Sequence, residues 1–356
     1  MIQAIASGFI SFIFMMIIVP ILKKIAVKFN LTDRPNNRKL HQEPVPLIGG
    51  IAIAITITML GLTNYVNYPI SKEQLVILLS SITLLCVGII DDKYDLRAKY
   101  KLLIQLFCAF VIAASGSRIT SLYGVFGVYE IPVLIQYTLT VIVICGVVNA
   151  FNLMDGIDGL AGELSIIGFL LLAIFSFLIN DTSLAILCFT FLGAIAGFLK
   201  FNLKAHKIFM GDAGSLFIGN LLIGFSIHLL QNNTQIISAK PVLLYAIIGF
   251  FALPVLDSLR VYLGRLKKGI SPFEADKTHL HHLFLSMNLS HKKTSIIISM
   301  ITLSILSFSL LISYYMTITV SIILVVLVFS LLGFVLNQIK KVYDWQQRIR
   351  EIEDLS

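Results

Sequence analysis

Residues 295–336 run for 42 positions without a single Asp, Glu, Lys or Arg. As one α-helix that stretch would be roughly 63 Å long, about twice the hydrocarbon thickness of a bilayer. It must fold back on itself, and residues 314–317 offer the turn. Long apolar runs recur throughout the 356 residues, which are 57% apolar and 13% charged, with a mean hydropathy of +0.92. That balance excludes an ordinary soluble domain. The runs are continuously apolar rather than alternating every second residue, which excludes a barrel. The chain reads as an all-α, polytopic helical membrane protein.

Taking runs of about 16–21 residues as spans gives eleven. They are residues 2–22, 47–63, 75–90, 102–117, 133–148, 164–179, 184–199, 215–230, 241–259, 295–314 and 317–336. The first is too long for the core of a secretion signal and lacks a basic leader and a cleavage site, so it is expected to persist as a span. Cys86, Cys108, Cys145 and Cys188 lie in apolar runs with no CxxC pair, and read as free, packed thiols. Counting alternate loops from the one after the first span, 24 of the 27 Lys and Arg fall on one side. Basic loops stay in the cytoplasm, so the N-terminus is expected outside and the C-terminus inside. Sixteen of the 19 acids collect on that face as well, which the Lys/Arg rule does not require. Something charged is handled there. The chain divides into one integral domain, 1–337, and a cytoplasmic tail, 338–356, whose apolar spacing suggests a short interfacial helix.

Five cytoplasmic segments carry the chemistry. In "DRPNNRKLHQEPVPLIGG", residues 33–50, Arg38, Lys39 and His41 serve either as a headgroup contact or as a clamp for a phosphate-bearing substrate. In "GIIDDKYDLRAKYK", residues 88–101, Asp91 and Asp92 end a span, where adjacent acids oppose the helix dipole. They repel unless a cation lies between them and another ligand, which points beyond a plain helix stop. "NAFNLMDGIDGLAG", residues 149–162, sets Asp155 and Asp158 three apart, expected on one helical face. Residues 119–199 contain no Lys or Arg, so no local base neutralises them. A small-residue helix contact explains the glycines there but not the acids, while Asn149 and Asn152 add amides. In "FNLKAHKIFMGDAGSLFIGN", residues 201–220, Asp212 sits between glycines at the mouth of a span. Phe209 reads as packing or as a stacking platform for a base. Last, "SPFEADKTHLHHLF", residues 271–284, holds His279, His281 and His282, with Lys277, Arg260 and Arg265 in the same loop. Imidazoles suit zinc, but the absence of cysteine and the surrounding positive charge favour oxyanion or phosphate handling.

Hard carboxylates beside basic loops suggest a magnesium-dependent reaction on a phosphate-containing substrate at the inner membrane surface. A cation-coupled transporter is the rival from another class. It would place acids at mid-span and show inverted repeats, and neither is visible.

The segments "DDKYDL", "NAFNLMDGIDGLAG", "FMGDAGS" and "DKTHLHHLF" resemble, in order, the cytoplasmic signatures of the polyprenyl-phosphate N-acetylhexosamine-1-phosphate transferases. The peptidoglycan-precursor branch carries a Pro-Thr-Met-Gly-Gly element and contiguous histidines. "PLIGG", "HLHH" and "RPNNRKLH" instead resemble the WecA-type branch, which uses UDP-GlcNAc. The resemblance implies transfer of N-acetylglucosamine-1-phosphate to undecaprenyl phosphate, UMP release and initiation of a lipid-linked envelope glycan. It places the protein in the bacterial cytoplasmic membrane. Another UDP-N-acetylhexosamine is the runner-up donor, and a direct route and an aspartyl-phosphate route both stay open. The implied metal is Mg²⁺, with Mn²⁺ as alternative, on Asp212 with Asp92. Asp91 is the implied base, and Asp91 and Asp92 serve metal, pyrophosphate or lipid phosphate. Asn202 and Phe209 match uracil-contacting positions, and Asp155 and Asp158 help hold the nucleotide, with Asn149 and Asn152 beside them. His279, His281, His282 and Arg265 are expected on the sugar or phosphates, and Arg38, Lys39 and His41 on substrate. The expected partners are UDP-GlcNAc, undecaprenyl phosphate and the bilayer, with no nucleic acid and a homodimer left open.

Overall fold

The computed structural model describes residues 1–33, 44–65, 68–204, 207–232, 242–269 and 278–353, and is helical almost throughout. The long helices are α1 (Ile2–Lys28), α2 (Gly49–Tyr65), α3 (Lys72–Tyr94), α4 (Ala98–Ser115), α5 (Val133–Met154) and α6 (Leu160–Leu178). They continue with α7 (Thr182–Asn202), α8 (Gly211–Asn232), α9 (Val242–Lys267), α11 (His291–Ile312) and α12 (Ile318–Glu353); the short α10 (Leu280–Ser286) precedes α11. Strands β1 (Thr32–Asp33) and β2 (Val45–Pro46) pair antiparallel, as do β3 (Ser121–Val125) and β4 (Val128–Glu130).

Every expected span coincides with a helix. Among the described residues ten helices are long and apolar enough to cross a membrane. The second span, α2, has 17 residues, at the lower end of the roughly 17–25 that suffice. The chain is a multi-pass membrane protein. Its long uncharged stretch turns back between Ile312 and Ile318, where the residue pattern predicts. All four cysteines are free. The tail differs from expectation: α12 runs unbroken for 36 residues, about 54 Å, so span and tail are one helix. No proline or left-handed cap separates them, and a helix continues until something stops it.

Helix α8 is the axis. Its side chains are buried on every face, with α2, α3, α5, α6 and α9 packed around it. A helix apolar all round belongs inside protein. Helices α1 and α12 lie at the periphery and expose Phe9, Ile17, Leu327 and Leu331, as lipid-facing surfaces do. At the end of α8 away from Asp212, buried Gln74 donates to Asp181 Oδ2 at 2.7 Å, and Asp181 caps α7 through Leu184 N at 3.0 Å. Ser71 and Gln74 close a capping box on α3. These contacts lock the starts of α3 and α7 and leave the chemistry to the other end.

Candidate active site

The segment before α8 is held rigidly. Phe209 N donates to Pro46 O and Gly49 N to Phe209 O, both at 2.9 Å, tying the approach of α8 to that of α2. A helix start leaves backbone N–H groups without partners. Asp92, in the last turn of α3, supplies them: Oδ1 accepts from Asp212 N at 2.9 Å and Oδ2 from Ala213 N at 3.2 Å. Gly211 takes a φ of +73°, and a Cβ there would lie 2.6 Å from Asp92 Oδ2. Close approach and left-handed backbone both require glycine.

Asp91 accepts from Leu96 N at 2.7 Å and from Lys101 Nζ at 2.6 Å. The same ammonium lies 3.2 Å from Asp212 Oδ2. The cation that adjacent acids require is therefore present in the chain itself. Asn152 donates to Ser215 Oγ at 2.8 Å and also hydrogen-bonds Asp212, while Asn149 donates to Gln105 Oε1 at 2.7 Å. Both asparagines tie α5 to its neighbours at this end.

The segment 149–162 corrects the sequence reading. Helix α5 stops at Met154, residues 155–159 form a turn, and α6 starts at Leu160 behind Gly159 with φ +88°. Asp155 and Asp158 therefore share no helical face; the glycines break the helix. Asp155 turns toward Gly211, and its carboxyl is raised well above the usual range by burial and then by the charges of Asp212, Asp92 and Asp158. Asp158 turns the other way, to Lys207 Nζ at 2.7 Å and His291 Nδ1 at 3.2 Å. Burial alone would raise Asp158, but these partners outweigh it and hold the carboxyl below its usual range. Asn202 is buried beneath the turn: its Oδ1 accepts from Gly159 N at 2.7 Å and its Nδ2 donates to Ile208 O at 2.8 Å. The Lys207 ammonium sits 5.0 Å above the Phe209 ring.

The histidines meet the site at the 155–159 turn. The rings of His279 and His281 are parallel at 5.8 Å, and those of His281 and His282 lie 4.2 Å apart. A Cβ on Gly156 would meet His281 Nε2 at 2.5 Å, so glycine lets the ring reach the 155–159 turn. Burial, then the neighbouring His282 and His279, push the His281 imidazole down to about 3, so it is neutral at pH 7. Arg265 is buried with its guanidinium 5.8 Å from the Tyr262 ring centre. Arg38, Lys39 and His41 lie outside the described residues.

Four site residues escape the sequence reading. Lys101 closes the segment "GIIDDKYDLRAKYK" but counts there only as a basic residue. Lys207 and His291 reveal nothing until Asp158 is placed beside them. Asp257 lies inside the run read as the ninth span, which is therefore not free of charge, and a lone acid in an apolar run is itself a functional signal.

Among the described residues no three His, Cys, Asp or Glu side chains form a protein-only metal cage. Mg²⁺ seldom needs one, because one or two carboxylates suffice when phosphate oxygens and water complete its shell. Asp212 is half-exposed, and each Asp92 oxygen accepts one N–H and keeps a lone pair. These hard oxygens fit that ion.

Residues 74–230 match the family model described as glycosyl transferase family 4. The chain is 33% identical over 347 residues to the undecaprenyl-phosphate alpha-N-acetylglucosaminyl 1-phosphate transferase of Escherichia coli (strain K12), covering 95% of this chain and 92% of that protein. It is 32% identical over 310 residues to a probable undecaprenyl-phosphate N-acetylglucosaminyl 1-phosphate transferase of Bacillus subtilis (strain 168), covering 85% and 82% respectively. The four ordered motifs, the helical bundle and full-length similarity agree, and the chain belongs to glycosyl transferase family 4, with these transferases.

Proposed function

We propose that this protein transfers N-acetylglucosamine-1-phosphate from UDP-GlcNAc to undecaprenyl phosphate, releasing UMP, at the cytoplasmic face of a bacterial cytoplasmic membrane. The product would begin a lipid-linked envelope glycan. One observation carries the reading: Lys101 bridges Asp91 and Asp212 at the mouth of the central helix. Acids balanced by one ammonium, which a phosphate can take over, suit a polyphosphate. The full-length similarity to named transferases supports the acceptor and the sugar.

Asp212 would hold Mg²⁺, with Asp92 fixing the α8 turn that presents it; the ion would stabilise charge on the transferring phosphoryl group. Lys101 leaves the acids for the pyrophosphate. A phosphate oxygen of the lipid forms a bond to the β-phosphorus as the bond to the bridging oxygen breaks, and UMP departs with that oxygen. Asp91, released from Lys101, takes any proton the lipid phosphate still carries. Phe209, Lys207 and Asp158 flank the nucleotide, Asn202 holds their turn, and Arg265 and the histidines receive the sugar and phosphates.

The test is UMP release by purified protein in detergent with undecaprenyl phosphate and Mg²⁺. UDP-GlcNAc, UDP-GalNAc and UDP-MurNAc-pentapeptide are supplied separately. Release from UDP-GlcNAc alone is expected, stopped by EDTA and restored by Mg²⁺ or Mn²⁺. Release from a different donor would change the sugar; release from none by folded protein would overturn the function.

A further inference from the structure

Asp257, on α9, is fully buried and makes every contact a carboxylate can offer. Its Oδ1 accepts from Arg260 Nη2 at 2.7 Å, and its Oδ2 lies 2.9 Å from His279 Nδ1. The backbone N of Leu280 donates to both oxygens, 3.3 Å from Oδ1 and 3.2 Å from Oδ2, and Arg260 Nη2 continues to Thr278 O at 2.6 Å. The far nitrogen of the same ring, His279 Nε2, is buried and has no hydrogen-bond partner among the described residues. A carboxylate accepts only, so Nδ1 must carry a proton whether the ring is neutral or charged. Nε2 is then the atom left to work.

We infer that Asp257 is a positioning residue for transfer: it holds the Nδ1 proton of His279 and so presents Nε2 to the sugar or a phosphate oxygen. This rests on the transferase reading above. Arg260 makes the inference sharp. Its guanidinium only donates, so in Asp257→Asn the amide oxygen must stay on the Arg260 side and the NH₂ must face His279. The amide then donates to Nδ1, and the ring proton moves to Nε2. Size and packing barely change while the tautomer inverts, the change for which a triad aspartate is known to matter.

Two readouts test it. Histidine 15N NMR, assigned by loss of a signal in His279→Gln, is expected to show protonated Nδ1 in the wild-type protein and protonated Nε2 in Asp257→Asn. This holds whether or not UDP-GlcNAc is the donor. A bare Nδ1 in the wild type overturns the inference, even if the variant fails to fold. In the UMP assay Asp257→Asn is expected to lower kcat on the order of 10²-fold or more. In a His279→Gln background it should cost nothing further, because both changes remove one unit. Losses that multiply, or near-wild-type kcat in folded Asp257→Asn, would assign Asp257 to structure alone. No turnover by the wild type would sink the transferase reading and leave the tautomer result standing.

Discussion

Asp158 has a Lys on one side and a His on the other, and that pairing decides how it behaves with pH. Its carboxyl sits below the usual range, so the ionised form stabilises the fold above the ordinary carboxylate pKa, about 3.9. That contribution disappears as pH falls through the lower, folded value. Lys207→Met should therefore cost about 1–3 kcal/mol at pH 7. The gap to wild type in thermal melts should persist to about pH 5 and narrow below the carboxylate range. A gap of the same size at pH 3 would mean that Lys207 stabilises by something other than this charge. Gly156→Ala tests a steric contact rather than a charge. Its Cβ would enter the space of His281 Nε2, and a ring displaced by about 1 Å can cost on the order of 10²-fold in rate. Since Gly156 is exposed with ordinary backbone, its melting point should hold while UMP release falls. The acids themselves were legible in the sequence, but their partners were not: Lys207 lies 49 residues from Asp158, and His291 lies 133.

At the scale of elements, two neighbouring aspartates do different work. Asp92 accepts two backbone N–H bonds at the start of α8, whereas the Asp212 carboxylate pairs with the Lys101 ammonium at 3.2 Å and with Asn152. Asp92→Ala is expected to cost about 1–2 kcal/mol of stability through the lost cap, along with activity. Asp212→Ala is expected to abolish transfer with melting point and membrane expression unchanged. Equal stability of the two variants would remove the cap from the account. The break at 155–159 was encoded in Gly156 and Gly159, yet an i, i+3 spacing of acids reads as a helix until those glycines are weighed against it. The tail shows the opposite error: amphipathic spacing reads as a separate helix, but nothing in the residues between span and tail ends α12.

For the whole molecule, the asymmetry of basic residues makes an expectation about sidedness that helix packing does not test. In a cysteine-free background, Tyr129→Cys on β4 should react with a membrane-impermeant maleimide from outside intact cells. Asp344→Cys on the α12 extension should react only after permeabilisation. The reverse pattern would invert the topology and place the active site on the wrong face for a nucleotide sugar.

Run length alone determined the helical class, the spans and the fold-back near 313–317. Lipid offers backbone groups no partner, so an apolar run of sufficient length has no alternative to a helix. The motif order likewise determined the family. Which helix lies at the centre, and which charge meets which, was decided only by tertiary structure. Hydropathy says that a helix avoids water but not which face meets a neighbour, because lipid and protein surfaces are nearly equally apolar. The Asp91–Lys101–Asp212 bridge, the Asp158 pairing and the Asp257–His279 contact each join residues that the packing of the helices, not their spacing in sequence, brings together.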